Sequence, residues 1–568
     1  METYEKWNIQ ETPLSAPFFR KRVQNFLERN GLRMEALDAY YSILDEDGEI
    51  LSGAGISGTV IKCVAVSAAA RSEGLLVPLI SHIVSLHPGV SLRVFTKAEY
   101  EAVFGSLGFR LLARAPQALL LENGRGAERY AASLSALRVP GARSGVAVIN
   151  ANPFTLGHRY LLEQAARQVD ALYVIPVKED VSDFPYQERL EMIRSVSGAV
   201  TGARTIVADG SDYQISALTF PTYFLKDLSD AAETQMRLDL DLFGRLIAPA
   251  LGVSRRFVGS EPMDPLTARY NALMREILPA YGVEVVEIPR LATPGAAGTA
   301  LSATEVRAQL ADGHYAAAAA LVPEPVRPYL LGHLACRALQ KELDTPLKPG
   351  LVGPDSNGAH KDMDYALMQK GIAAIRPYFA RMAQAESAGE LRQLGIEAEE
   401  AMMQATGGVN THRGAIFCLG LAVYAASRKM ETADNQKDMQ NALREIGQGI
   451  LSDSLNVNNL HFTLVGARRM AWTAYRQVFE DWLPYYRSLK GASRELQLLL
   501  RIMSTLDDTC VVKRVGFERA QEVKAEAKTL LETAGQPGPL CERYAAEGIS
   551  PGGAADMLAM TIFIDSIL

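Results

Sequence analysis

The stretch V-A-V-I-N-A-N-P-F-T-L-G-H-R-Y-L-L-E-Q-A-A-R-Q, Val146 to Gln168, decides the reading of the central part of the chain. Val146, Val148 and Ile149 form a short β-branched run that breaks at Asn150, Asn152 and Pro153, and a helical pattern begins close to His158. The order is strand, loop, helix. Such a unit aims the free N–H groups and the positive end of the helix at whatever lies beyond the strand, which suits a phosphate. Within it, Thr155-Leu156-Gly157-His158 places a glycine where a phosphate can approach the backbone and a histidine that can donate a proton to it.

Working outward, further buried-strand runs follow at Ala171 to Val177, Thr205 to Ala208, Arg256 to Val258 and Val283 to Ile288, separated by helix-length segments. That spacing predicts a doubly wound parallel sheet with ligands beyond the strand C-termini. Three strand ends there carry polar groups: Lys178-Glu179-Asp180 with Arg189 downstream, Gly210-Ser211-Asp212, and Gly259-Ser260-Glu261. Farther on, Leu301-Ser302-Ala303-Thr304-Glu305-Val306-Arg307 starts another helix, with Ser302 and Glu305 spaced as a capping box. Its N-terminus can face phosphates, with Arg307 one turn in to neutralise charge on departing pyrophosphate.

At 568 residues the chain exceeds one ordinary core, and length alone suggests roughly three or four domains. A net charge of -7 and the lack of any basic run interleaved with aromatics exclude nonspecific nucleic-acid binding, so an anionic ligand must be held by local groups. Five scattered cysteines without a C-x-x-C indicate neither a disulfide framework nor a zinc cluster. No apolar run is long enough to span a bilayer, and the opening residues lack the pattern of a secretory signal, so no membrane association and a cytoplasmic location are expected.

The N-terminal part, 1–140, alternates helical and strand patterns, opening with a helix from Phe18 to Leu27. After a strand at Ile61 to Val66, Arg71-Ser72-Glu73-Gly74-Leu75 enters a helix and resembles the pyrophosphate-binding turn of the GNAT acetyltransferases. The segment Tyr100 to Phe109 resembles that family's closing Y-x-x-x-F-x-x-x-G-F. The resemblance implies an α+β module in which the backbone around Arg71 and Gly74 holds coenzyme A phosphates. With no obvious catalytic base, an accessory module is the expectation.

Thr155 to His158 has the T/H-x-G-H form of the nucleotidyltransferase superfamily, and Ser302 to Arg307 resembles its partner I-S-x-T-x-x-R. Both motifs stand in order, with a sheet's worth of strands between them. Adding N-A-N-P-F-T-x-G-H-R-Y-L, V-K-E-D at Val177 to Asp180, F-P-Y at Phe184 to Tyr186, A-P-A-L-G-V from Ala248 and R-F-V-G-S-E-P ending at Pro262, residues 1 to about 330 resemble citrate lyase ligase. The resemblance implies that a central α/β domain, 141–330, activates acetate with ATP as acetyl-adenylate. The acetyl group then passes to the prosthetic-group thiol of the citrate lyase acyl carrier protein, its gamma subunit. His158, Thr155, Lys178 and Arg307 are the expected catalytic residues, and Asn152, Gly157, Gly259, Ser302 and Thr304 the expected nucleotide contacts.

After the proline-rich joint Val322 to Pro328, strand signals fade and an all-α domain is expected over 331–568. Its loops carry K-P-G-L-V from Lys348, G-A-H-K-D-M from Gly358, G-V-N-T-H-R-G from Gly408 and S-P-G-G-A-A-D from Ser550. Gly-rich turns bearing Lys, His, Asp and Asn suit a triphosphate with a divalent metal. In order, they resemble segments of triphosphoribosyl-dephospho-CoA synthase. That family joins the ribose C1 of ATP to the 2'-hydroxyl of dephospho-CoA and expels adenine. The resemblance implies Lys348, His360, Asn410 and His412 as substrate contacts, Asp508 as a catalytic carboxylate, and Asp362, Asp507, Asp508 and Asp556 as ligands for magnesium or a similar divalent ion. Two departures stand out: the family's G-A-R-G-E-A-E reads Gly466-Ala467-Arg468-Arg469-Met470-Ala471-Trp472, and its D-T-N reads Asp508-Thr509-Cys510. Chemically, the reaction calls for a carboxylate near C1 and a metal on the triphosphate. The alternatives are an active ligase whose helical half only binds the carrier or coenzyme, and a plain nucleotide adenylyltransferase.

Overall fold

The computed structural model describes residues 7–178, 182–216, 219–225, 230–260, 264–291, 301–428, 435–452 and 466–568. Glu179, Asp180 and Glu261, named above, lie outside them. The chain divides into two compact units: Met1–Asn152 with Leu156–Leu301, and Pro153–Thr155 with Ser302–Leu568.

The first unit holds two sheets. The first has the order β1-β2-β3-β4-β5-β7-β6, built from β1 (Ile9–Glu11), β2 (Ala39–Leu44), β3 (Ile50–Ser57), β4 (Val60–Val66), β5 (Leu92–Thr96), β6 (Phe109–Arg114) and β7 (Leu119–Asn123). Adjacent residues serve opposite faces, as strand geometry demands: Tyr40, Phe95 and Leu120 pack with α1 (Pro17–Arg29), whereas Tyr41, Val94 and Leu121 pack with α2 (Leu76–Leu86). All neighbouring pairs are antiparallel except β4 and β5, which are parallel and matched only at Val60 with Arg93 and Ile61 with Val94.

The second sheet is wholly parallel, in the order β10-β9-β8-β11-β12: β8 (Ser144–Ile149), β9 (Ala171–Pro176), β10 (Arg204–Val207), β11 (Arg255–Gly259) and β12 (Glu284–Ile288). All five strands expected from the sequence are present. The order reverses between β8 and β11, so their following loops part on opposite sides and leave a crevice at the C-terminal edge. The loops lead to α3 (Leu156–Ala166) after β8 and α4 (Tyr186–Ser197) after β9, followed by α5 (Ala231–Leu242) and α6 (Pro265–Ile277). Helix α5 explains why both sheets share one unit. Its Leu238 and Leu242 join the core of the first sheet, while Met236 and Leu240 join that of the second. Two apolar stripes on opposite sides of one helix bury both cores.

Among its described residues, the regular elements of the second unit are all helices. It begins with α7 (Ala303–Ala311) and continues through α8 (Arg327–Asp344), α9 (Tyr365–Gln384), α10 (Arg413–Ser427), α11 (Thr509–Thr533) and α12 (Gly552–Ile567). Helix α12 is apolar nearly all round and is the central stave, packed against α8 and α10. Arg337 of α8 donates to the carbonyl of Leu310 at 2.6 Å, satisfying one of the free acceptors at the end of α7. Compactness thus separates the chain at Leu301/Ser302, ahead of the proline-rich joint. No helix among the described residues is long and apolar enough to cross a membrane, and none of the five cysteines is disulfide-bonded.

Candidate active sites in the two units

At the end of β8 the backbone turns through Ala151, whose φ of 52° lies in the left-handed region. A fully buried arginine holds this turn. Arg189 donates to the carbonyl and the side-chain oxygen of Asn150 at 2.8 Å each, to the carbonyl of Val177 at 2.9 Å and to that of Phe184 at 3.0 Å. It thereby ties the exits of β8 and β9 together. Asn152, expected to touch nucleotide, accepts from the Phe184 N–H at 3.1 Å. Thr155 is buried, and Gly157 and His158 sit in the first turn of α3, half-buried.

Burial, and then the positive charge of Arg290, push the His158 imidazole down to about 4. At neutral pH it is therefore an uncharged hydrogen-bond donor. A neutral imidazole at a helix N-terminus polarises an anionic centre without losing its own proton. Arg290, two residues past β12, was not singled out in the sequence. A basic residue just beyond a parallel strand was the signal available. Ser260 ties the segment in, its hydroxyl accepting from the Arg290 N–H at 3.0 Å. Gly259 ends β11, and an added Cβ would meet only Arg290, at 3.9 Å. Lys178 is 3.3 Å from Asp212, both about half exposed, a pairing of little energetic weight.

The second signature lies in the helical unit. Ser302 is the N-cap of α7, its hydroxyl accepting from the Glu305 N–H at 3.1 Å, and Arg307 donates to the Thr304 hydroxyl at 3.1 Å. Arg71 and Gly74 are exposed in the turn between β4 and α2, where Gly74 takes φ 69°.

In the helical unit a cavity of about 440 Å³ is lined by His360, Asp362, Asn410, His412 and Asp556, five of the residues expected from sequence, together with Glu342. Lys513 and Arg514 on α11 also line it. These three were missed: Glu342 reads as one polar position on an amphipathic helix, and the basic pair reads as a solvated face. His412 is 4 % exposed, with Nδ1 at 2.8 Å from the Thr411 hydroxyl and Nε2 without a partner among the described residues. Burial and then Lys348 push it down to about 3, so it too is neutral. The ring of His360 is 2.9 Å from the Ser550 hydroxyl and 3.8 Å from Asp362, and burial lowers its pKa. Asp556 is driven far above the usual carboxylate range by burial, with the negative charges of Asp508 and Glu342 adding to it.

Three expected residues do not line this cavity. Lys348 is buried and its ammonium is committed to Glu342, 2.5 Å from the carboxylate and 2.6 Å from the carbonyl. Asp508 caps α11 by accepting from the Cys510 N–H at 2.8 Å, and it accepts from the Ala554 N–H at 2.9 Å, so both oxygens are occupied. Asp507, largely exposed, pairs with Lys524 at 2.8 Å. Among the described residues no three Asp, Glu, His or Cys side chains gather as a cation cage.

A parallel α/β sheet with a histidine in the first turn of the helix that follows β8, and a helical unit enclosing a polar cavity, define an enzyme of two halves, each with its own candidate site. Residues 144–330 match the citrate lyase ligase C-terminal domain, and residues 328–568 match the ATP:dephospho-CoA triphosphoribosyl transferase family. The [citrate [pro-3S]-lyase] ligase of Escherichia coli is 40% identical over 318 residues, covering 54% of this chain and 89% of its own. That of Haemophilus influenzae is 41% identical over 319 residues, 54% and 94%. The 2-(5''-triphosphoribosyl)-3'-dephosphocoenzyme-A synthase of Klebsiella pneumoniae is 34% identical over 271 residues, 42% and 94%. The chain belongs to the citrate lyase ligase family over its first part and to the triphosphoribosyl-dephospho-CoA synthase family over its second, an enzyme that unites the two activities.

Proposed function

We propose that the first part joins acetate to ATP as acetyl-adenylate and passes the acetyl group to the prosthetic-group thiol of the citrate lyase acyl carrier protein. The second part makes 2'-(5''-triphosphoribosyl)-3'-dephospho-CoA, the precursor of that prosthetic group, from ATP and dephospho-CoA. The observation that carries the first reading is the neutral His158 at the start of α3, on the loop leaving β8 at the point of sheet reversal. Attack of a carboxylate on the α-phosphorus calls for charge stabilisation and in-line placement more than for an acid and a base. His158 and the positive end of α3 supply the first.

The GNAT-like reading of the first sheet is supported by the turn at Arg71 to Gly74, which follows β4 where β4 and β5 diverge beyond two matched residues. The turn can take the phosphates of a pantetheine-bearing coenzyme, while the Val64 backbone on the splayed edge is bonded to the buried Tyr223.

For the helical part, glycosyl transfer forms a bond from the 2'-oxygen to the ribose C1 and breaks the bond to adenine. His412, neutral and with Nε2 unpartnered on the cavity wall, is placed to accept the hydroxyl's hydrogen bond. Lys513 and Arg514 balance the triphosphate. A divalent cation usually reaches such sites on the phosphates, keeping several waters and one or two carboxylates. Asp556 and Asp362 would hold it, and it would neutralise phosphate charge. The crowding of Asp556 by Asp508 and Glu342 is the feature that fits a cation. The helix Ala467–Trp472, which carries the main departure from the family's acidic segment, contributes no residue to the cavity wall, which favours an active half over a binding-only one.

Product analysis tests the whole reading. ATP, magnesium, acetate and the reduced carrier should give AMP and pyrophosphate, and ATP with dephospho-CoA should give free adenine. A dinucleotide product would instead indicate a plain adenylyltransferase, and a folded sample giving no adenine would reduce the helical half to binding.

A further inference from the structure

A second cavity, of about 240 Å³, lies inside the first unit between α5, α6 and the parallel sheet. Val148 near the end of β8, Val177 just after β9 and Gln214 in the loop after β10 line it, so it reaches the C-terminal edge where this sheet type binds ligands. Met236, Ile247 and Leu266 supply apolar wall, and Gln235, Asp239 and Tyr270 line it with polar groups.

One residue does not fit a passive core. Arg256, the second residue of β11, is 3 % exposed and lines this cavity. Its guanidinium lies 4.4 Å from the centre of the Phe243 ring, and one nitrogen donates to the Tyr270 hydroxyl at 3.2 Å. Nε and Nη1 have no acceptor among the described residues. The nearby carboxylate, Asp239, is already engaged by the Ile215 N–H at 2.8 Å and by the Tyr270 hydroxyl, and does not form an ion pair with Arg256. Gln214, also buried and on the cavity wall, has its amide nitrogen without a partner among the described residues, while its oxygen accepts from the Ser211 N–H at 3.2 Å.

Buried donors without acceptors are costly, and a guanidinium most of all, unless a ligand completes them. The fork of an arginine matches the two oxygens of a carboxylate. Asp239 on the same wall opposes a polyanion, and the apolar side chains beside it favour a single negative charge on a short hydrocarbon body. We propose that this cavity is the carboxylic-acid site of the ligase half, with Arg256 and Gln214 as the groups that receive the carboxylate. The assignment rests on the ligase reading above. The acid oxygen attacks the α-phosphorus, a C–O–P bond forms, the α–β phosphoanhydride bond breaks and pyrophosphate leaves, with no proton transferred. A single water needs only about 10–15 Å³ of such space, so the cavity has room for acids longer than two carbons, and the ligase half accepts propionate and butyrate as well as acetate.

The test uses the full chain and acid-dependent ATP–pyrophosphate exchange with acetate, propionate and butyrate. Wild-type protein is expected to exchange with all three. Arg256→Lys and Gln214→Leu should each raise the KM for the acid about 10- to 100-fold, the loss expected for a hydrogen bond to a charged group, while the KM for ATP moves less than about twofold. A KM for ATP within about twofold of wild type in the same exchange assay reports that the first unit is folded, and Gln214→Leu keeps the test alive should Arg256→Lys unfold. Unchanged acid KM in a folded Gln214→Leu or Arg256→Lys protein would overturn the site. Exchange confined to acetate would overturn the claim on chain length. Wild-type protein that exchanges with no acid at all would remove the ligase reading itself, and the assignment with it.

Discussion

Replacing Lys348 by methionine separates a structural role for this residue from the phosphate-binding role its motif implied. The ammonium is fully buried, and Glu342, its partner, is 6 % exposed at the side chain. Removing one member of such a pair typically costs about 3–5 kcal/mol, because a buried charge is left without a counterion. For a unit of this size, one kcal/mol shifts the melting temperature by about 2–4 °C, so the helical unit should melt roughly 6–20 °C lower. Glu342 already sits above the usual carboxylate range through burial, with Lys348 pulling it back. Without the lysine its folded pKa rises further. A raised folded value stabilises below the unfolded pKa and is lost as pH rises, so the gap between variant and wild type should narrow from pH 8 to pH 6. The double change Glu342→Met with Lys348→Met should recover most of the loss, since a buried pair and an apolar replacement are often close in energy. Calorimetric scans of the three variants at both pH values provide the measurement. A single variant melting within about 2 °C of wild type, or a double variant no better than the single, would refute the charge argument and return Lys348 to the phosphates.

His158→Ala should lower acetate-dependent ATP–pyrophosphate exchange by roughly 10²- to 10³-fold, the usual cost of removing one donor to a developing charge; exchange near wild type would remove His158 from the chemistry. Ser302→Ala deletes the hydroxyl that accepts from Glu305 and should cost about 1 kcal/mol through lost capping, read from the melting curve against Ala303→Gly as a helix control. His412 sits at about 3 when folded and near 6.5 when unfolded. A depressed folded value stabilises above the unfolded pKa, so this contribution should fade as pH falls from about 6.5 to 3. His412→Gln should flatten that acid limb, and an unchanged acid midpoint would count against the buried neutral ring. Asp556→Asn should abolish adenine release while leaving acetate-dependent exchange intact, since an amide is a poor ligand for a hard cation.

Much of this molecule is legible along the chain because its signals are local. Strand periodicity around Val146, the break at Asn150 to Pro153 and the helix start at His158 are short-range consequences of side-chain branching and backbone hydrogen bonding, and all five parallel strands follow from the same reading. The capping box at Ser302 is equally local, and its hydrogen bond forms. The motifs around His360, Asn410, His412 and Asp556 could be matched one by one, and the helical packing then brings them to one cavity.

Other assignments depended on partners distant in sequence. Lys348 stands in a phosphate-like motif, yet its nearest acceptor is a glutamate on the preceding helix, so burial converts it into a counterion. Asp508 and Asp507 are neighbours with different fates: one carboxylate is consumed by backbone N–H groups of two helices and the other meets a lysine at the surface. That α5 belongs to the cores of both sheets follows only from three-dimensional packing, because two apolar stripes on one helix do not name their partners. Arg256 is the extreme case. In the sequence it is one letter of a strand, and only the folded layers of β11, α5 and α6 enclose its guanidinium beside a cavity, with two of its nitrogens lacking an acceptor among the described residues. Pattern fixes which residues share a face, but solvation and charge balance arise when distant segments close around them, and those decide which polar groups hold the fold and which await a ligand.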